Sequence, residues 1–150
     1  MAKGFSKQIV QNAINASLAR IDKAIIRRMQ YLGEMLVNHA REHGSYTDIT
    51  GNLRNSVGYI LTRNGVTIAE NFMKVTKGGE EGPAKAKQFA ESLKTKHGKG
   101  TYSIIVVCGM DYADYVESTR NVLAATEMQA KSEFPRMISE LKLNIKKMKV

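Results

Sequence analysis

The chain has 150 residues, 43% of them hydrophobic and 25% charged, with a formal net charge of +9 and a single cysteine. That length suits one domain with a core of its own, and the composition is that of soluble globular proteins rather than of disordered, collagen-like or membrane chains. One cysteine excludes an intrachain disulfide, and the surplus of positive charge favours contact with nucleic acid or acidic surfaces without specifying a fold.

The opening "MAKGFSKQIVQNA" lacks the apolar run of a signal peptide, and no later run approaches the roughly 20 apolar residues of a spanning helix. Neither export nor a membrane anchor is expected. From Phe5 to about His43, the residues Phe5, Ile9, Ile14, Leu18, Ile21, Ile25, Leu32 and Leu36 recur mostly at steps of three and four, with Lys23, Arg27, Arg28 and Glu34 between them. This pattern predicts a long amphipathic helix closed by Gly44. At about 1.5 Å per residue it would run to roughly 55 Å, longer than a small domain needs, so its first half is expected to project and pack on a neighbour.

After the Thr50-Gly51 turn, Val57, Tyr59 and Leu61 alternate on one side of a predicted strand. Asn64-Gly65 suits a type I′ hairpin turn, with a returning strand over about Val66 to Val75. Residues 76–100 form a Lys- and Gly-rich excursion with a short helical pattern through Ala86, Phe89, Ala90 and Leu93. "TYSIIVVC" is apolar on both faces, which predicts a central strand or one whose outer face meets another subunit. "GMDYADYVES" reads as a turn with a short element. Near the end, Ser132 is a candidate cap for a helix with Pro135 in its first turn. Phe134, Ile138, Leu141 and Ile145 would line one face, with Lys142, Lys146, Lys147 and Lys149 on the rest. The fold class expected is therefore α+β, a small antiparallel sheet packed by a long N-terminal and a C-terminal helix.

Few residues suggest chemistry. "HAREH" places His39 and His43 one helical turn apart with Glu42 between, the H-x-x-E-H spacing of inverted zinc peptidases, but no third ligand is evident. His97 has no nucleophile arranged around it. Cys108 lies in an apolar run, where a thiol is normally buried and inert. Asp111, Asp114 and Glu117 are spaced so that two or three could share a helix face and hold a cation, or else the acidic residue before "YADYV", Asp111, caps a helix N-terminus and its neighbours face water. The basic loop around Lys94, Lys96 and Lys99 and the tail with Lys142, Lys146 and Lys147 lack interleaved aromatics. They suit sequence-independent contact with a phosphate backbone.

Two segments together carry a resemblance. "TGNLRNSVGY", with Thr50, Gly51, Leu53, Arg54 and Ser56, and "YADYVES", with Tyr112, Ala113, Tyr115, Val116 and Glu117, are followed by a C-terminal amphipathic helix. This order resembles the small tail-component family of long-tailed bacteriophages, the tail-completion and head-to-tail joining proteins of the neck. The chain departs from the family's commonest form in having Ser118-Thr119 where Gly-Thr is usual and a Lys-rich insert before the last strand. The resemblance implies a non-enzymatic virion subunit without cofactor, self-associating in a ring against neighbouring neck or tail proteins, and present in the bacterial cytoplasm before assembly. Residue chemistry adds an expected Arg54–Glu117 ion pair across the two segments. A small nucleic-acid-binding module and a zinc peptidase are the alternatives.

Overall fold

A computed structural model describes residues 7–43, 51–75, 77–97, 101–110, 112–113, 117 and 122–148. Its elements are helix α1 (Lys7–His43), the single turn α2 (Asn52–Asn55), strands β1 (Val57–Arg63) and β2 (Val66–Asn71), helix α3 (Gly82–His97), strand β3 (Tyr102–Cys108) and helix α4 (Ala124–Lys147). The three strands form one antiparallel sheet in the order β2-β1-β3. This is the α+β class anticipated from the sequence.

Alternation along β1 decides how the layers stack. Val57, Tyr59 and Leu61 face α1 and α4, in a core with Leu32, Leu36, Val37, Ala40 and Met137. Ile60 faces the other way, joining Val107 against Ala86 and Ala90 of α3. Six of the seven β1 residues are buried, so the central strand is β1 and not "TYSIIVVC", which forms the edge strand β3. The apolar composition of β3 reflects a strand roofed by helices on both faces, and edge position is set by pairing, which composition does not report. The excursion at 76–100 thus supplies the helix that covers the second face of the sheet.

The hairpin turns as its sequence requires, with Asn64 at φ 52° and Gly65 at φ 81°. The returning strand is shorter than expected, ending at Asn71. Pairing of β2 shifts register between Leu61 and Thr62, a bulge that twists the edge, and the chain beyond Asn71 leaves the sheet.

The C-terminal helix departs most from expectation. It begins at Ala124 rather than near Ser132, which leaves Pro135 in its interior. The reason lies upstream: the Glu117 carboxylate accepts from the backbone N–H groups of Val122, Leu123 and Ala124, the last at 2.7 Å. A carboxylate there satisfies donors the helix cannot and complements its dipole. Pro135 is exposed, so the carbonyl it leaves without a helical donor can be solvated. Met137 and Leu141 are buried and Ile138 partly so, as the apolar face required, whereas Phe134 is exposed.

Helix α1 is tied down from Asp22 onward. Arg28 pairs with Glu140 of α4, and the Asp22 carboxylate receives Arg63 from the end of β1 and the Tyr102 hydroxyl from the start of β3. Glu34 bridges helix and sheet, accepting from Tyr59 Oη at 3.0 Å and Asn71 Nδ2 at 2.8 Å. Next to it, Gly33 lets the Tyr59 ring lie against the helix backbone, since a Cβ there would come within 2.7 Å of Cε2.

Two predictions follow from this contact. Alanine normally stabilises a helix by about 1 kcal/mol over glycine. In Gly33→Ala the overpacking against a fully buried ring, about 1–3 kcal/mol, should outweigh that gain and lower Tm. A Tm equal to or above that of the native chain would show that the ring yields freely. Burial pushes the Tyr59 phenol far above its ordinary value, and the Glu34 carboxylate adds to the shift as acceptor and as charge. The unfolded chain therefore ionises first, so this contribution is complete below about pH 10 and fades as pH rises beyond it. Thermal melts between pH 8 and 11 should show a steeper loss of Tm above pH 10 in the native chain than in Tyr59→Phe. Parallel curves would remove Tyr59 as the source.

Candidate functional site

The segment around Gly51 builds a corner where α1, the sheet and the start of α3 meet. Gly51 takes φ 83°, a left-handed conformation, and the turn closes with Asn55 N donating to Gly51 O at 3.0 Å. Leu53 enters the core at 2% exposure. Ser56 is fully buried and donates through Oγ to Leu53 O at 2.7 Å. Its hydroxyl also lies 3.2 Å from Cys108 Sγ, so the thiol sits buried in a polar contact at the end of β3.

Arg54 donates from Nε to the Arg41 carbonyl at 2.8 Å. Arg41, buried at 7% exposure, reaches in turn to Val57 O at 2.9 Å and Met73 O at 3.3 Å. The two arginines thereby fasten the last turn of α1 to the start of β1 and to the irregular stretch after β2. The expected Arg54–Glu117 ion pair is replaced by these contacts, because both Glu117 oxygens are engaged at the N-terminus of α4. Ala113 is buried and Tyr112 is exposed. Thr50, Tyr115 and Val116 lie outside the described residues.

Asn55, a position to which the motif assigns no role, is the hub of the corner. It is fully buried, its Nδ2 donating to Gly78 O at 3.1 Å and Gly79 O at 3.2 Å while Oδ1 accepts from Val75 N at 2.8 Å. Asn52 Oδ1 accepts from Glu81 N at 3.2 Å. Gly79, at φ 62°, passes so close that a Cβ would lie 2.5 Å from the Gly51 carbonyl carbon. The "TGNLRNS" turn and the "KGGEEGP" segment are thus two halves of one backbone junction, and the second half launches α3. Two asparagines beside a Gly turn are a readable sign of side-chain-to-backbone bonding, but the partner segment is set only by the fold.

The zinc-like spacing in α1 is put to another use at its first member. His39 Nδ1 lies 2.8 Å from Thr126 Oγ1, joining α1 to the first turn of α4. Among the described residues, no group of three or more His, Cys, Asp or Glu side chains is placed to hold a metal ion. The side chains of His43 and His97, and residues Asp111 and Asp114, lie outside the described set.

The basic residues separate into two kinds. Lys94 is folded back onto the domain, 2.9 Å from Glu91 and 3.3 Å from Thr67 Oγ1 of β2. Lys142, Lys146 and Lys147 are exposed on α4. The Lys96 side chain and Lys99 lie outside the described residues. Among the described residues no helix is long and apolar enough to cross a membrane. No protein-family model, curated protein or solved structure matches the chain.

Every polar side chain described at the corner is committed to internal bonding, so its contribution is to hold the layers together. Asn55→Ala should therefore lose three bonds and strand buried backbone groups, lowering stability by about 2–4 kcal/mol in urea titrations. Asn55→Asp, which turns an acceptor towards two carbonyls, should be no better. Near-native stability of both variants would show that the junction is held by other contacts.

Proposed function

We propose that the chain is a non-enzymatic structural virion subunit, a tail-completion or head-to-tail joining ring protein of a tailed phage or prophage. The paired motifs supply the family, and the projecting start of α1 is the observation that carries the self-association. Apart from Ser17, whose hydroxyl accepts from Arg20, every residue from 7 to 20 is exposed. Ile9, Val10, Ile14 and Leu18 are 59%, 47%, 44% and 58% exposed, yet Ile14 and Leu18 continue the stripe that Leu32 and Leu36 bury in the core. An apolar face of this kind, held clear of its own domain, gains free energy by covering it.

A second copy of the chain is the occupant that the local charge favours. With +9 overall, copies repel one another, but residues 8–19 contain no charged side chain and are filled with Gln, Asn, Ala and Ser. Interface cores are similarly poor in charge. Gln8–Asn12 and Gln11–Asn15 hydrogen bonds, at 2.8 and 3.0 Å, help this projecting segment remain helical before it docks. A closed ring would then follow from a head-to-tail contact whose rotation closes.

Sedimentation velocity at micromolar concentration should give a discrete oligomer for the native chain. The Ile14→Glu/Leu18→Glu variant, altered only at exposed positions, should be a folded monomer. In density-purified phage particles, quantitative mass spectrometry should count roughly six or twelve copies per particle, a ring stoichiometry. A native chain that is monomeric at all concentrations, or that is absent from complete infectious particles, would overturn the reading.

A further inference from the structure

Helices α1 and α4 run antiparallel, with His39 beside Thr126, Arg28 beside Glu140, and Met148 beside the turn that contains Ala24. At this last end they leave a groove of about 360 Å³ lined by Arg20, Lys23, Ala24, Arg27 and Met148, next to the exposed Lys146 and Lys147. Its floor is small and apolar, and its walls are cationic. Two acids on the same two helices are already paired, Asp22 with Arg63 and Glu140 with Arg28 and Arg136. Among the described residues, Lys23, Arg27, Lys146 and Lys147 have no carboxylate within ion-pair distance, so these four contribute positive charge that no described acid pairs with.

We propose that this groove at the α1–α4 end binds the phosphate backbone of duplex nucleic acid without reading its sequence. Arg20, Lys23 and Arg27 lie along one flank of α1 and span about 10 Å at 1.5 Å per residue. One strand of a duplex presents about three phosphates over that length of axis, at 3.4 Å each. Arginine adds a planar fork that matches phosphate oxygens. A lipid surface fits less well. At about 100° per residue the three cations sit on the opposite side of α1 from Ile14 and Leu18. A bilayer taking up that apolar face would turn them towards water, whereas an interfacial helix presents its apolar side and flanking cations together. The same opposition leaves the apolar face free for another protein copy while the groove holds a polyanion.

The test is fluorescence anisotropy of a labelled random-sequence duplex of about 20 base pairs, titrated across salt with the full-length chain. Each phosphate contact contributes about 0.9 to the slope of log K against log salt. Lys23→Gln/Arg27→Gln/Lys147→Gln should lower that slope by about 2–3 and weaken binding at least tenfold at 0.1 M salt. The charge-preserving Lys23→Arg/Arg27→Lys variant should bind as the native chain does. Lys77→Gln/Lys85→Gln/Lys87→Gln, which removes equal charge around α3, should leave affinity within about threefold. Equal losses in both glutamine variants would reduce the effect to net charge and overturn the groove. A groove variant that keeps native duplex affinity overturns it too, as does one that loses only its binding to phosphatidylserine vesicles. The Ile14→Glu/Leu18→Glu variant should retain the native salt slope per chain, so a failure of ring assembly and a failure of the groove are read separately.

Discussion

Strand β1 must be covered on both faces, and most of the architecture is a response to that requirement. Val57, Tyr59, Ile60 and Leu61 are completely buried, each worth roughly 1.5–3 kcal/mol of removal from water. A single layer of helices would leave one face of the strand wet. Helices α1 and α4 close one face and α3 the other, so the segment between β2 and β3 is a structural layer. Close approach is possible because Gly33 and Gly58 put no side chain where the Tyr59 and Phe72 rings lie.

A sheet packed this tightly cannot leave backbone groups unpaired where the chain turns from one layer to the next. The corner at Gly51–Ser56 meets that demand with buried polar side chains: Asn55 for the loop that leads to α3, and Arg41 and Arg54 for the end of α1. Glu117 does the same for the start of α4. The described motif residues Leu53, Arg54, Ser56 and Glu117 are thus accounted for by packing and internal bonding.

Two surfaces stand out, and their placement on α1 makes them compatible. The uncharged, apolar projection at Gln8–Leu18 suits protein contact, while the cationic flank at Arg20–Arg27 meets the end of α4. Asp22, within the second stretch, ties α1 to the body of the domain through Arg63 and Tyr102.

The sequence by itself determined the features that depend on local periodicity and local stereochemistry. These are the long amphipathic α1, the turn at Gly51, the Asn64-Gly65 hairpin, the burial of Cys108, and the α+β class. Tertiary structure alone decided which strand is central, since strand order depends on pairing between segments whose compositions are nearly alike. The start of α4 departs from the Ser132-Pro135 signal for a local reason, the Glu117 carboxylate capping it from five to seven residues upstream. The fold alone set the partner of Arg54, the Arg41 carbonyl rather than Glu117. Hydrogen bonds between distant segments form only once packing has fixed their distance, and no spacing along the chain records that distance.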